Sequence, residues 1–293
     1  MKIAFTGAGG FIGSYVIRCF KDYASDIYVL NREDSIESWK EIIIKSDVII
    51  NLAGSPIKQR WTKANRKKIL DSRILTTRKI VQILNSLPED ISSKLFISAS
   101  ATGIYPNDKF KTYNEYNTVK GSGFLAEVVS KWEAEVDELV NPAVRLVIAR
   151  LGVVLSKDGG MLKTLIPLFK SGLGGYIGDG KQITSFIHIE DVASAFKFFI
   201  ENKNTSGLFN LVAPTTITNH DMTRVIAEKF NRPALITIPA FIFKIIFGEA
   251  SCIILNGVNI YPEHLIDKGY EFKFPTFEKA INDIFGPSKN NNQ

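Results

Sequence analysis

Gly7, Gly10 and Gly13 recur at every third position in the opening stretch MKIAFTGAGGFIG, with Gly9 as an extra. Glycine lets a backbone come close to a pyrophosphate, and a helix N-terminus behind it presents unpaired N–H groups. The spacing is GxxGxxG rather than the GxGxxG of the general dinucleotide fingerprint, and glycines also make ordinary turns. Context decides between the two. A short apolar run, Ile3 to Phe5, precedes the glycines, and helical periodicity follows from Phe11 to Tyr23. Gly7, Gly10, Phe11, Ile12 and Gly13 are therefore expected to hold a dinucleotide.

Further residues fit the same chemistry. At the end of the second strand a dinucleotide site needs a partner for the adenosine ribose. Leu30-Asn31-Arg32 offers a neutral amide and a cation, which favours the 2′-phosphate of NADP over the 2′-hydroxyl of NAD. Arg32 could also be a solvated loop cation, and Glu33 and Asp34 follow it. Leu52, Ala53 and Gly54 are small enough at a strand end to leave space for a flat ring. Arg73 lies beyond the basic run Lys58 to Lys68, which reads as a solvated face, and can turn towards cofactor phosphates. Ser98 is expected beside the cofactor. Ser100, Thr102 and Tyr105 are candidate catalytic hydroxyls, although a serine-rich strand end can equally cap a turn. His188, at the end of another strand, is a candidate substrate contact or a histidine satisfied by a neighbour. No metal-ligand spacing is present.

The elements that must position these residues follow from periodicity. Strands are expected at Asp26–Leu30, Asp47–Leu52, Lys94–Ser98 and Arg145–Ala149, alternating with helices at Ser35–Lys45, Lys63–Asn85 and Phe124–Leu139. On the long helix Leu70, Ile74, Ile80, Val81 and Leu84 make the apolar stripe. This alternation implies an α/β, Rossmann-like, doubly wound parallel sheet. A helix at Met161–Lys170 leads into GLGGYIGDG, a loop too glycine-rich for regular structure. Gln182–Ile189 and Gly207–Val212 read as strands, and Glu190–Glu201 as a helix. A helix capped by Thr218 or Asn219, an apolar hairpin and a helix over Thr276–Phe285 make a smaller C-terminal lobe. The expected division is a dinucleotide-binding domain over 1–213, with 161–181 contributing to the substrate lobe, then the lobe at 214–287 and a disordered tail at 288–293.

Composition narrows the function classes. The chain has 293 residues, 45% hydrophobic, a formal charge of +6 and only two cysteines. The pI near 9.1 suits an anionic dinucleotide, and the scattered basic residues argue against a nucleic-acid surface. Cys19 and Cys252 suggest no disulfide framework. The chain begins directly on a core strand, which leaves no room for a signal peptide and implies a cytoplasmic location. Leu235–Leu255 is long enough for a membrane span, but Pro239, Lys244, Gly248 and Glu249 interrupt it. It reads as a buried helical hairpin, with no membrane partner.

Taken together, TGAGGFIG, NLAG, RWTKANRKKILDSRILTT, ISASATGIY, GFLAEVVSKWE, RLGVVLSKDGGML, GLGGYIGDGKQITSFIHIEDV and NLVAPTTITNHDM occur in order from Met1 to about Phe285. They resemble the atypical short-chain dehydrogenases called the epimerase family, with their characteristic C-terminal domain of unknown function. The resemblance implies an NADP cofactor, a nicotinamide side lined by Arg150, Gly152 and Val153, and a substrate wall at Gly172–Gly180. It also implies redox or epimerase chemistry on a small carbonyl or hydroxyl compound. Ordinary members of the superfamily carry Tyr and, four residues on, Lys on one helix face, where the cation lowers the phenol's pKa for proton transfer. Here the corresponding positions are Phe124 and Val128. That absence keeps open a second function, a dinucleotide-binding regulator without turnover. Tyr116 and Lys120 have the right spacing. They lie between Pro106 and Gly121-Ser122-Gly123, outside any helical stripe, and are not expected to be the catalytic pair.

Overall fold

The computed structural model describes residues 1–108, 110–234 and 236–286. β1 (Lys2–Thr6) buries Ile3, Ala4 and Phe5 completely, as a strand covered on both faces must. The glycine turn leads into α1 (Phe11–Phe20), then β2 (Asp26–Val29) and α2 (Ile36–Lys45), whose N-terminus is capped by the Ser35 hydroxyl. β3 (Val48–Asn51) precedes α3 (Lys63–Asn85), capped by Thr62, and β4 (Lys94–Ala101) follows. Next come β5 (Thr112–Tyr113), α4 (Phe124–Asp137), β6 (Val144–Leu151), β7 (Val153–Leu155) and α5 (Gly160–Lys170). β8 (Gly175–Ile177), β9 (Ile183–His188), α6 (Ile189–Glu201) and β10 (Gly207–Leu211) continue the chain. β11 (Thr216–Thr218), α7 (Asn219–Lys229), β12 (Ile236–Ile238), α8 (Ala240–Phe247), α9 (Cys252–Leu255), β13 (Asn259–Ile260), α10 (Glu263–Asp267) and α11 (Phe277–Phe285) complete it.

Six strands form one parallel sheet in the order β10-β6-β4-β3-β1-β2. The order reverses between β1 and β3. In open α/β sheets ligands bind in the crevice beyond the strand ends at such a point. α1 and α6 cover one face, through Val16, Phe20, Phe196 and Phe199. α2, α3 and α4 cover the other, through Trp39, Ile43, Ile80, Leu84 and Val136. A second core gathers α5, α7 and α11 around Leu162, Phe186, Ile226 and Phe277. It draws on residues well before position 213 as well as after it.

Three expectations need correction. GLGGYIGDG is not wholly irregular, because Gly175–Ile177 pairs in parallel with Ile236–Ile238. Glycine there permits the pairing, since a Cβ on Gly175 would lie 2.1 Å from the Ile236 carbonyl oxygen. The stripe of α3 runs through Ile69, Ile80, Val81, Ile83 and Leu84, while Leu70 and Ile74 are only partly covered. The apolar hairpin is not buried either. α8 buries none of its residues, and Phe241 and Ile245 are 60% and 69% exposed. It touches the body through its far end, where Phe247, Ala250, Cys252 and Ile253 join Trp61 and Phe124. No described helix is long and apolar enough to cross a membrane. The expected tail, 288–293, lies outside the described residues.

Candidate functional site

The crevice is built from the glycine turn outward. Gly7 sits at φ +69°, in the left-handed region, and a Cβ on it would lie 2.4 Å from the Leu52 carbonyl oxygen. The turn is thus pressed against the end of β3. A Cβ on Gly13 would lie 2.2 Å from the Gly7 carbonyl oxygen, so the first turn of α1 also packs on the loop. Gly10 is the N-cap of α1 and donates its N–H to Gly7 O at 3.0 Å. No side chain caps this helix, which leaves its first N–H groups open to an anion. Below the turn, Asn51 ties four elements together. It accepts from the Thr6 hydroxyl at 2.7 Å and donates to Thr77 Oγ1, which also accepts from the Trp132 indole.

At the end of β2, Arg32 borders a cavity of about 550 Å³ lined also by Trp39, Lys67, Lys68, Asp71 and Lys79. Lys79 stands 4.1 Å above the Trp39 ring and donates to the Asp34 carbonyl. The carboxylates here are already engaged. Asp71 pairs with Lys67, and Asp34 accepts the Asn31 N–H at 3.0 Å. What faces the cavity is a surplus of cations. The basic run is therefore not simply a solvated face. Lys67 and Lys68 line the cavity, Arg66 pairs with Glu249, and Lys58 Nζ donates to Thr164 on α5 at 2.8 Å.

Arg73 is not part of that cavity. It leaves α3 towards α4, with its guanidinium 5.3 Å over the Trp132 ring and Nη1 donating to the Ser55 and Ile69 carbonyls at 3.2 and 3.1 Å. Burial alone pulls its pKa down to about 10. A Cβ on Gly54 would lie 2.8 Å from its Nη2. Leu52, Ala53 and Gly54 thus pass between the glycine turn and this cation.

Phe124 and Val128 are both buried on α4. Phe124 packs edge-on against Trp61 at 4.9 Å, and the Arg66 guanidinium lies 4.6 Å above its ring. A hydrophobic cluster occupies the place of a proton-transfer pair. The candidate hydroxyls are largely committed. Ser100 donates to Glu133 Oε1 at 2.5 Å, and Glu133 is also bound by Arg150 through Nε at 2.8 Å and Nη2 at 2.7 Å. Burial lowers the Arg150 guanidinium, but the bonds and charge of Glu133 outweigh it and the net shift is upward. Arg150 Nη1 donates to the Tyr105 oxygen, and Tyr105 donates to Asn210 Oδ1 at 3.0 Å. Tyr105 is only 4% exposed, and burial raises its pKa despite the nearby cation. Its phenol clamps a loop to the sheet instead of opening on the crevice. Ser98 is fully buried on β4. Thr102 remains partly exposed, with its hydroxyl 3.3 Å from the Leu151 carbonyl. Val153 opens β7 and packs on the second core.

His188 is placed as a helix cap. Its Nδ1 accepts the Glu190 N–H at the start of α6 at 3.2 Å, and its ring lies 4.0 Å from that of Phe274. Nε2 faces Asp283 at 3.4 Å and has no hydrogen-bond partner among the described residues. Among the described residues, His188, Glu190 and Asp283 could together approach a metal ion. The cap argues against it. A ring whose Nδ1 accepts a bond carries its proton on Nε2, the atom a metal would need. Tyr116 and Lys120 lie outside any helix and are exposed, and the Tyr116 ring packs on His264.

Glu133, Asn51, Asn210 and Glu115 were not singled out by sequence reasoning. Glu115 accepts the Asn210 N–H at 2.7 Å, and its buried Oε2 has no partner among the described residues. Burial raises its pKa. The only signal for Glu133 is its place after Trp132, one residue off the apolar stripe of α4.

A doubly wound parallel sheet with a glycine turn at its switch point defines the Rossmann-like class of dinucleotide-binding folds. Within it, the model of the NAD dependent epimerase/dehydratase family matches residues 3–212, and that of a domain of unknown function (DUF1731) matches 238–284. The chain belongs to the NAD dependent epimerase/dehydratase family. It is 32% identical to the chloroplastic epimerase family protein SDR39U1 homolog of Arabidopsis thaliana, over 97% of this chain and 86% of that protein. An epimerase family protein of Staphylococcus aureus is 31% identical over 95% of this chain and 97% of its own. The human epimerase family protein SDR39U1, solved with NADPH, superposes with a TM-score of 0.87 at 26% identity, covering 97% of this chain and 99% of that one.

Proposed function

We propose that the crevice takes NADP(H), and that the protein is an oxidoreductase or epimerase acting on a small carbonyl or hydroxyl compound. The carrying observation is the cavity at the end of β2, where Arg32, Lys68 and Lys79 meet without an ion-pair partner among the described residues, Asp71 being paired with Lys67 and Asp34 holding the Asn31 N–H. A 2′-phosphate would supply the missing negative charge, whereas a bare ribose hydroxyl would leave the cations unmatched. The open N-terminus of α1 suits the pyrophosphate, and Gly7 and Gly13 give the loop its close packing. The human relative solved with NADPH supports the same reading. When bound, such a cofactor supplies hydride exchange at its nicotinamide. Thr102, the most accessible of the candidate hydroxyls, follows β4 at that end of the sheet.

Arg32→Ala tests the cofactor assignment. NADPH affinity should fall by roughly 1–3 kcal/mol, with NADH affinity nearly unchanged. Equal weakening of both would make Arg32 a loop support. The second reading, a dinucleotide-binding regulator without turnover, is favoured by Phe124 being packed beneath Trp61 and Arg66. A substrate-dependent loss of NADPH absorbance would exclude it.

A further inference from the structure

α3 carries cations on two faces, and they serve different places. Lys67, Lys68 and Lys79 line the Arg32 cavity, whereas Ile69, Arg73 and Thr77 follow one another along the face against α4. The glycine turn and the open N-terminus of α1 stand on the opposite face of the sheet from α3 and α4. Arg73 reaches the end of β3 from the α3 side, with Nη2 against Gly54 and Nη1 on the Ser55 carbonyl.

Its guanidinium is half used. Nη1 is fixed by the Ser55 and Ile69 carbonyls, but Nε and Nη2 donate to no described residue. No carboxylate pairs with Arg73 among the described residues. Two other arginines that the fold covers, one buried and one partly buried, differ. Arg150 engages Glu133 through two nitrogens, and Arg145 donates through both Nη atoms to the Thr205 and Phe199 carbonyls. The Trp132 ring offsets only part of the Arg73 charge. Nε and Nη2 keep contact with solvent, so an incoming carboxylate can reach a cation that no described carboxylate already neutralises. The idle atoms, Nε and Nη2, form the side of the guanidinium fork that matches a carboxylate with two parallel bonds. Gly54 is what lets Nη2 reach the strand end, since any Cβ there would push it away.

We infer that Arg73 anchors a carboxylate of the substrate, which makes the substrate class a small oxo or hydroxy acid. This rests on the crevice taking NADP(H), and it assigns Arg73 to the substrate and not to the cofactor's phosphates. Specificity then comes from pairing with an anion, and neutral carbonyl compounds are poor ligands.

The test uses the full chain saturated with NADP⁺ and titrated, by ligand-observed NMR, with acetate and benzoate against acetamide and benzamide. Each carboxylate should bind about tenfold or more tightly than its amide. Arg73→Gln should abolish that preference while leaving NADPH affinity within about threefold. Gly54→Ala, which displaces the guanidinium without removing it, should reduce the preference and carries the test if Arg73→Gln does not fold. Equal binding of acid and amide by the parent would overturn the inference. So would a loss of about tenfold or more in NADPH affinity on Arg73→Gln, because the charge would then serve the cofactor. If the parent fails to bind NADPH, the cofactor reading falls separately. The same titrations of the unloaded protein then decide the carboxylate.

Discussion

At the scale of single residues, the glycines of the first turn are not equivalent. Gly7 holds a left-handed φ of +69°, and a Cβ on it would lie 2.4 Å from a backbone oxygen, whereas a Cβ on Gly9 would meet nothing within 4 Å. Gly7→Ala should therefore cost on the order of 2–4 kcal/mol in urea unfolding, and Gly9→Ala less than about 0.5 kcal/mol. Equal costs would show that the turn is not pressed against Leu52. Gly7, Gly10 and Arg32 are readable in the sequence because their neighbours along the chain define the turn and the strand end. The Ser100–Glu133–Arg150–Tyr105 network is not. Its members come from β4, α4, β6 and the loop after β4, and no local spacing marks them. Type alone marks Ser100 and Tyr105 as candidate catalytic groups, and only the fold shows that Glu133 and Arg150 already hold them.

Among the elements, α6 shows how a functional-looking residue becomes a cap. His188 lies at the strand end where the sequence places it, but its Nδ1 accepts the Glu190 N–H. Burial lowers its pKa below the ordinary 6.5, although Asp283 and Glu190 pull the other way. As pH falls below 6.5 the unfolded chain takes the proton and the fold does not, so stability drops until the folded value is reached. Asp191 and Glu115 act oppositely. Burial raises both, so the fold gains stability as pH falls towards their ordinary values of 3.8 and 4.5. His188→Asn keeps a cap acceptor and removes the titration. Its melting temperature should fall less steeply than the parent's between about pH 7 and about pH 5.5. Parallel curves would mean that His188 does not titrate across folding. The long helices are legible because their apolar stripes and caps are local: α3 spans Lys63–Asn85 as the periodicity predicts. α8 misleads because an apolar helix looks buried in sequence whether or not anything covers it.

For the whole molecule, alternating strands and helices are enough to predict the doubly wound sheet, since each parallel strand needs a crossover. The second core is harder to read. It joins α5 to α7 and α11, segments far apart in sequence. Long-range side-chain contacts then draw segments together around the crevice, as Lys58 reaches Thr164 and Arg66 reaches Glu249. The central claim is that this crevice, with its cations beyond β2, selects a phosphorylated dinucleotide. Titrating the parent protein with NADPH and with NADH, by quenching of its tryptophan fluorescence at low salt, tests it most directly. The account predicts saturable binding of both, with NADPH tighter by about tenfold or more. Equal affinities, or no binding of either, would contradict it.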